Sequence, residues 1–135
     1  MNEKDYNYLH SEITGKVLQA FYKVFNNLGI GFPKKLYINA LVHELHKSGL
    51  TAEQNKVIEI YYDLVDVGEI PADIVIENLI LLEIHTDDEI SSAKGQVLYN
   101  KLRSGKYEVG LLLNFGQSPE HVRKVCTNER KANLS

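Results

Sequence analysis

The segment ADIVIENLILLEIHT, residues 72–86, consists of two apolar runs separated by a Glu-Asn turn, and each run carries one acidic side chain, Asp73 or Glu83. Short β-rich runs bounded by turn-forming residues are typical of strands. We therefore predict two consecutive antiparallel strands, Glu69–Glu77 and Leu79–Thr86. The acidic side chains need an explanation, because carboxylates are seldom buried without a partner.

The length of the turn between these strands decides whether the two acids meet. Side chains alternate between the faces of a strand, so Glu83 and His85 point the same way. A two-residue turn would send Asp73 and Glu83 to opposite faces, whereas a three-residue turn, Glu77–Leu79, would pair them directly. Asn78 tolerates the left-handed conformation that such a turn requires. We expect the three-residue turn, which brings three polar groups together.

Two carboxylates that face each other across a sheet repel unless a positive charge lies between them. A divalent cation would meet this need, because oxygen ligands suit Mg²⁺ or Mn²⁺ and such an ion can activate water beside a phosphate. Asp73 and Glu83 are therefore predicted metal ligands. Two other arrangements stay open: one acid lies at a frayed strand end in water, or it pairs with a lysine.

The remaining elements follow from hydrophobic periodicity, which predicts an α/β domain of order α-α-β-β-β-α-β. Glycines and Pro33 mark the ends of the first two helices. A short edge strand is expected after the last of these elements, at HVRKVCTN, residues 121–128. The predicted helices are Tyr8–Leu28, Pro33–Lys47 and Ser91–Arg103, and the predicted strands are Lys56–Val65, Glu69–Glu77, Leu79–Thr86 and Tyr107–Phe115.

Composition limits the class of protein. The chain has 135 residues, 44% of them hydrophobic and 24% charged, which fits one folded domain. A net charge of −3 gives no global attraction for nucleic acid, and the single cysteine, Cys126, excludes an internal disulfide. The first ten residues lack an apolar signal-peptide core, so we expect a cytoplasmic protein with no membrane partner. The mixed-charge residues near the carboxyl end are expected to form a solvated tail.

An aspartate at the start of one strand, followed by Glu-x-Lys on the next, resembles the core motif of the PD-(D/E)XK nuclease superfamily. The surrounding sequence is similar to the small proteins called the GxxExxY family. The resemblance runs through residues 11–32, 36–50, 72–86, 93–102 and 109–115. It implies a restriction-endonuclease-like domain over residues 1–126, with a mixed central sheet of about four strands flanked by helices, and a polar tail over residues 127–135.

The sequence departs from the family pattern at two positions. In the motif Gly-x-x-Glu-x-x-Tyr the matching residues are Gly31, Lys34 and Tyr37, so lysine stands where the family has glutamate. The lysine of Glu-x-Lys is replaced by His85. An unperturbed imidazole is mostly neutral at pH 7, so it supplies less positive charge than lysine, although it could ligate Mn²⁺ or Zn²⁺.

The resemblance names further candidates for the site. Some superfamily members supply the lysine from a neighbouring helix, where Lys94 and Lys101 flank Gln96, the match to the family's helix glutamine. Tyr37 either hydrogen-bonds a site group or lies in the core, which is the commoner fate of such a tyrosine. Lys34 could enter the site and replace the metal with a salt bridge to the acids.

Two hypotheses about function follow. In the first, Asp73, Glu83 and His85 form a degenerate site, weak or inactive as a metal-dependent phosphodiesterase. In the second, the protein is a non-catalytic binding or self-assembling module that retains the nuclease fold. The resemblance implies nucleic acid as a partner, Mg²⁺ or Mn²⁺ as a cofactor unless Lys34 replaces it, and allows a homo-oligomer.

Overall fold

A computed structural model describes residues 9–134 of the chain. The elements follow one another in the order α-α-β-β-β-β-β-α-β-β. The helices are α1 (Ser11–Leu28), α2 (Lys34–Lys47) and α3 (Ser92–Arg103), and the strands are β1 (Ala52–Gln54), β2 (Val57–Tyr62), β3 (Val65–Pro71), β4 (Ile74–Ile76), β5 (Ile80–His85), β6 (Val109–Phe115) and β7 (Pro119–Val125); a 3₁₀ turn spans Asn128–Arg130.

The strands form two sheets. The main sheet has five strands in the order β1-β4-β5-β6-β7, and β2 pairs with β3 in a separate two-stranded sheet. The β5–β6 pair is parallel, with α3 in the crossover, and the other pairs are antiparallel. The α/β class and the mixed sheet are confirmed, and the expected edge strand is present as β7. The sheet has five strands where about four were expected.

The turn between β4 and β5 has the predicted three-residue length. Ile74 pairs with Leu82 and Ile76 with Ile80, which leaves residues 77–79 in the turn. Glu77 and Asn78 are both left-handed, with φ of 53° and 54°. This register places Asp73 opposite Glu83, immediately before β4 begins.

The predicted strand Glu69–Glu77 is wrong, because the chain leaves one sheet and enters the other within it. β3 ends at Pro71, which has no N–H to continue a ladder, and β4 starts at Ile74. The predicted strand Lys56–Val65 is likewise interrupted, by a turn at Asp63 and Leu64 with φ of 48° and 68°. β1 was not predicted, because three residues carry too little periodicity to identify a strand.

Helices α1 and α2 cover one face of the main sheet. Phe21, Tyr37 and Phe115 meet there, with ring centroids 4.9 Å apart for Phe21 and Phe115 and 4.2 Å apart for Tyr37 and Phe115. The other face packs against α3 and the β2–β3 hairpin through Leu98, Leu102 and other buried residues. The predicted helix start, Tyr8, lies outside the described residues. Within residues 9–134, no helix has the length and apolarity needed to cross a bilayer.

The described residues after β7 are solvated only in part: residues 128–130 are exposed, as expected of a tail, but the segment also packs against the domain. Lys131 is fully buried, and its ammonium donates hydrogen bonds of 2.8 Å to the carbonyls of Gly105 and Tyr107. Burial lowers the pKa of Lys131 to about 8. Asn133 accepts hydrogen bonds from the backbone N–H groups of Asp63 and Leu64, which ties the hairpin turn to the carboxyl-terminal segment.

Candidate functional site

A polar pocket lies between the main sheet, α3 and the β2–β3 hairpin. Its volume is about 250 Å³, and its charged lining consists of Lys34, Asp73, Glu83, His85 and Lys101. Apolar side chains from the hairpin and the sheet complete the walls, among them Ile58, Pro71 and Leu81. The structure thus brings five of the eight predicted site residues into one pocket.

Asp73 is fixed by both of its carboxylate oxygens. Oδ2 accepts a hydrogen bond of 2.9 Å from the backbone N–H of Ile84 on β5. Oδ1 lies 3.0 Å from the ammonium of Lys34, at the start of α2. The Lys34 side chain is 47% exposed and that of Asp73 is 22% exposed, so this ion pair lies at the mouth of the pocket.

Glu83 is the more deeply buried acid, with a side chain that is only 9% exposed. Its Oε1 lies 2.5 Å from the ammonium of Lys101 on α3, and its Oε2 lies 3.3 Å from Nε2 of His85. Burial by itself would raise the pKa of Glu83. The hydrogen bonds from His85 and Lys101 outweigh burial and hold the pKa below its usual value.

The charged network continues beyond the predicted residues to Asp87. The second ring nitrogen of His85, Nδ1, lies 3.8 Å from Oδ2 of Asp87, and that carboxylate also pairs with Lys94. The ion pair with Lys94 lowers the pKa of Asp87. A continuous polar network therefore runs from Lys101 through Glu83, His85 and Asp87 to Lys94, and the lysine at each end favours the ionised form of the carboxylate that it contacts.

Asn114 holds Asp87 in place from the neighbouring strand. It is fully buried, accepts a hydrogen bond of 2.9 Å from the N–H of Asp87, and donates one of 2.9 Å to its carbonyl. Neither residue was predicted from the sequence. The signals were present, since Glu83, His85 and Asp87 alternate along one face, and Asn114 is the one polar residue in the buried run GLLLNF.

Three predicted site residues lie outside the pocket. Tyr37 is fully buried, and its hydroxyl donates a hydrogen bond of 2.6 Å to the carbonyl of Gly29 and accepts one of 3.3 Å from the N–H of Phe32. Of the two alternatives for Tyr37, the structure therefore shows the core position, and the hydroxyl makes these hydrogen bonds outside the pocket. Gln96 is exposed and bonds to Asn100 on its own helix. Lys94 contacts Asp87 and does not line the pocket.

The donor set does not fit the divalent cation that the motif implies. Each carboxylate oxygen of Asp73 and Glu83 already contacts a hydrogen-bond donor, and two of those donors are lysine ammonium groups. Among residues 9–134, no group of three or more His, Cys, Asp or Glu side chains could hold a metal ion. Two positive charges thus neutralise the two acids, and a cation would have to displace them.

Every residue that lines the pocket lies in the part of the chain that matches a known protein family. A family model described as the PD-(D/E)XK nuclease superfamily matches residues 11–125, which include every element from α1 to β7. No curated protein and no solved structure gives a significant match.

Proposed function

The chain belongs to the PD-(D/E)XK nuclease superfamily, and from this premise we propose that it is a degenerate, nuclease-like protein of the GxxExxY type. In this proposal it has lost metal-dependent cleavage of phosphodiesters. The ammonium groups of Lys34 and Lys101 then take over the role of the catalytic cation in neutralising Asp73 and Glu83. The domain then serves as a non-catalytic binding module whose pocket remains polar and open.

The observation that carries the proposal is that a protein donor contacts every carboxylate oxygen of Asp73 and Glu83. A metal between Asp73 and Glu83 would be bound through the negative charge of the two carboxylates. Lys34 and Lys101 already neutralise this charge, which lowers the affinity for a metal. A metal at Glu83 would also have to displace the Lys101 ammonium, which lies 2.5 Å from Oε1 of a carboxylate that is only 9% exposed. Its binding would therefore have to offset the loss of this ion pair.

The test is a phosphodiesterase assay on labelled single-stranded and double-stranded oligonucleotides with Mg²⁺ or Mn²⁺. The matched background is the Asp73→Ala, Glu83→Ala double variant, because it removes both acids and leaves the remainder of the pocket. We expect the wild-type rate to equal this background. A wild-type rate well above the double variant, with either ion, would refute the loss of catalysis.

A second candidate, a weak metal-dependent phosphodiesterase, is favoured by the position of Lys101. This ammonium reaches Glu83 from a helix, at 2.5 Å, where it could do the work of the missing motif lysine. Lys34 would then have to leave Asp73, which its 47% exposure permits. Under this candidate, Lys34→Ala raises cleavage and Lys101→Ala abolishes it, whereas under the first proposal neither variant cleaves.

A further inference from the structure

We infer that a second pocket, which shares the Lys34–Asp73 ion pair with the first, binds a phosphate oxyanion. This pocket has a volume of about 390 Å³ and is lined by Lys34, Lys35, Ile38, Gln54, Asn55 and Asp73. It shares Lys34 and Asp73 with the nuclease-like pocket. The inference rests on the proposed function, since it needs Lys34 to remain paired with Asp73.

The polar groups of this pocket are suited to an anion. Lys35 forms no ion pair within the described residues, and no side-chain hydrogen bond occupies the amides of Gln54 or Asn55 there. The Lys35 ammonium and the Gln54 and Asn55 amides line one space, and their N–H groups are able to donate hydrogen bonds to the oxygens of a phosphate. Ile38 supplies the one apolar side chain of the lining.

The ion pair on the shared wall determines whether an anion can enter. Asp73 lines the pocket, and its carboxylate would repel a phosphate if it were unpaired. Lys34 lies 3.0 Å from that carboxylate and cancels its charge, so Lys35 remains as the net positive charge of the pocket. The replacement of glutamate by lysine at position 34 therefore has two effects, neutralising one pocket and making the other attractive to anions.

Two sources could supply this phosphate: the backbone of a nucleic acid, or a free phosphate or phosphorylated small molecule. Inorganic phosphate and a fluorescein-labelled single-stranded oligonucleotide serve as separate probes. Phosphate binding is followed by the NMR shifts of the Gln54 and Asn55 side-chain amides, and oligonucleotide binding by fluorescence anisotropy over a range of salt concentrations.

Lys35→Ala is the main variant, and Lys47→Ala is its control. Lys47 lies at the other end of the same helix; its side chain is 54% exposed, and its ammonium lies 3.7 Å from Oε1 of Glu44. We expect Lys35→Ala to weaken binding of at least one probe and, for the oligonucleotide, to reduce the slope of log Kd against log salt by about one. Lys47→Ala should change neither quantity.

Asp73→Asn supplies a test of opposite sign. It removes the carboxylate, keeps an oxygen for the Ile84 N–H, and frees the Lys34 ammonium, so binding should become tighter. The inference is overturned if neither probe binds, if Lys35→Ala behaves like Lys47→Ala, or if Asp73→Asn weakens binding. These outcomes are independent of the cleavage assay, in which failure of the proposed function appears as wild-type activity.

Discussion

Replacing Lys101 with methionine tests whether its ammonium neutralises Glu83. Methionine keeps much of the apolar stem and removes the charge that lies 2.5 Å from Oε1. Separating a buried ion pair costs about 3–5 kcal/mol. Because the Lys101 side chain is 30% exposed and His85 still contacts Glu83, we expect a smaller loss of about 2 kcal/mol in the free energy of unfolding.

The pH dependence of this loss identifies its cause. The pKa of Glu83 is lowered in the folded state, so the stability that its ionised form contributes is present above its ordinary value of 4.5 and is lost as the pH falls through the folded value. The difference between wild type and Lys101→Met should therefore be largest near neutral pH and should shrink as Glu83 becomes protonated.

Urea unfolding followed by circular dichroism, at pH 7 and at a series of acidic values, measures both quantities. Lys47→Met is the matched control, because the Lys47 side chain is 54% exposed and its ammonium lies 3.7 Å from Oε1 of Glu44. We expect this variant to change the free energy of unfolding by less than about 0.5 kcal/mol. A loss for Lys101→Met no greater than that of the control, or a loss that is the same at every pH, would refute the role assigned to Lys101.

Three further predictions concern the restored motif, the buried lysine and the glycine beside the network. The double variant Lys34→Glu, His85→Lys restores the family residue at both positions, so we expect it to cleave oligonucleotides with Mn²⁺ faster than the wild type. A variant that folds but does not cleave would show that the geometry of the two acids is also lost. Burial lowers the pKa of Lys131 to about 8 from 10.5. Between these two pH values the unfolded chain holds a proton on Lys131 that the folded protein has lost. The free energy of unfolding of the wild type should therefore rise by about 3 kcal/mol from this group as the pH increases from 8 to 10.5. Urea unfolding of Lys131→Met should lack this gain, and an identical pH profile for the two proteins would contradict the assignment. In Gly116→Ala the added Cβ would lie 2.3 Å from the carbonyl oxygen of Asp87. We therefore expect the free energy of unfolding to fall by about 2 kcal/mol and the NMR shifts of His85 to change. A variant with the stability and spectra of the wild type would count against this close approach.

Much of the site geometry could be predicted from one local feature, the turn between β4 and β5. A shift of one residue in the pairing would turn every side chain of a strand to the other face, so the apolar pattern of the two strands restricts the register. Asn78 accepts the left-handed conformation, with φ of 54°, and the three-residue turn places Asp73 opposite Glu83.

The β2–β3 hairpin could not be assigned to a separate sheet from the sequence. The alternation of apolar and polar residues indicates which face of a strand is buried, but it does not indicate which strand is its partner. The segment from Val57 to Ile76 reads as β-rich throughout, yet it enters two sheets on either side of Ala72. The packed carboxyl-terminal segment was missed for a related reason. Lysine is almost never fully buried, so nothing in the sequence distinguishes Lys131, which bonds two carbonyls, from a solvated lysine.

The lysine partners of the two acids depend on contacts between elements distant in sequence. Lys34 and Lys101 were candidates by resemblance, and the structure pairs them with Asp73 and Glu83 respectively. Periodicity cannot predict such a division, because the side chains come from helices on opposite faces of the sheet.

Calorimetric titration of Mn²⁺ into the wild-type protein, beside the Asp73→Ala, Glu83→Ala double variant, tests most directly whether lysines have replaced the metal. We expect the two titrations to be the same. Binding with a micromolar Kd in the wild type that disappears in the double variant would contradict it.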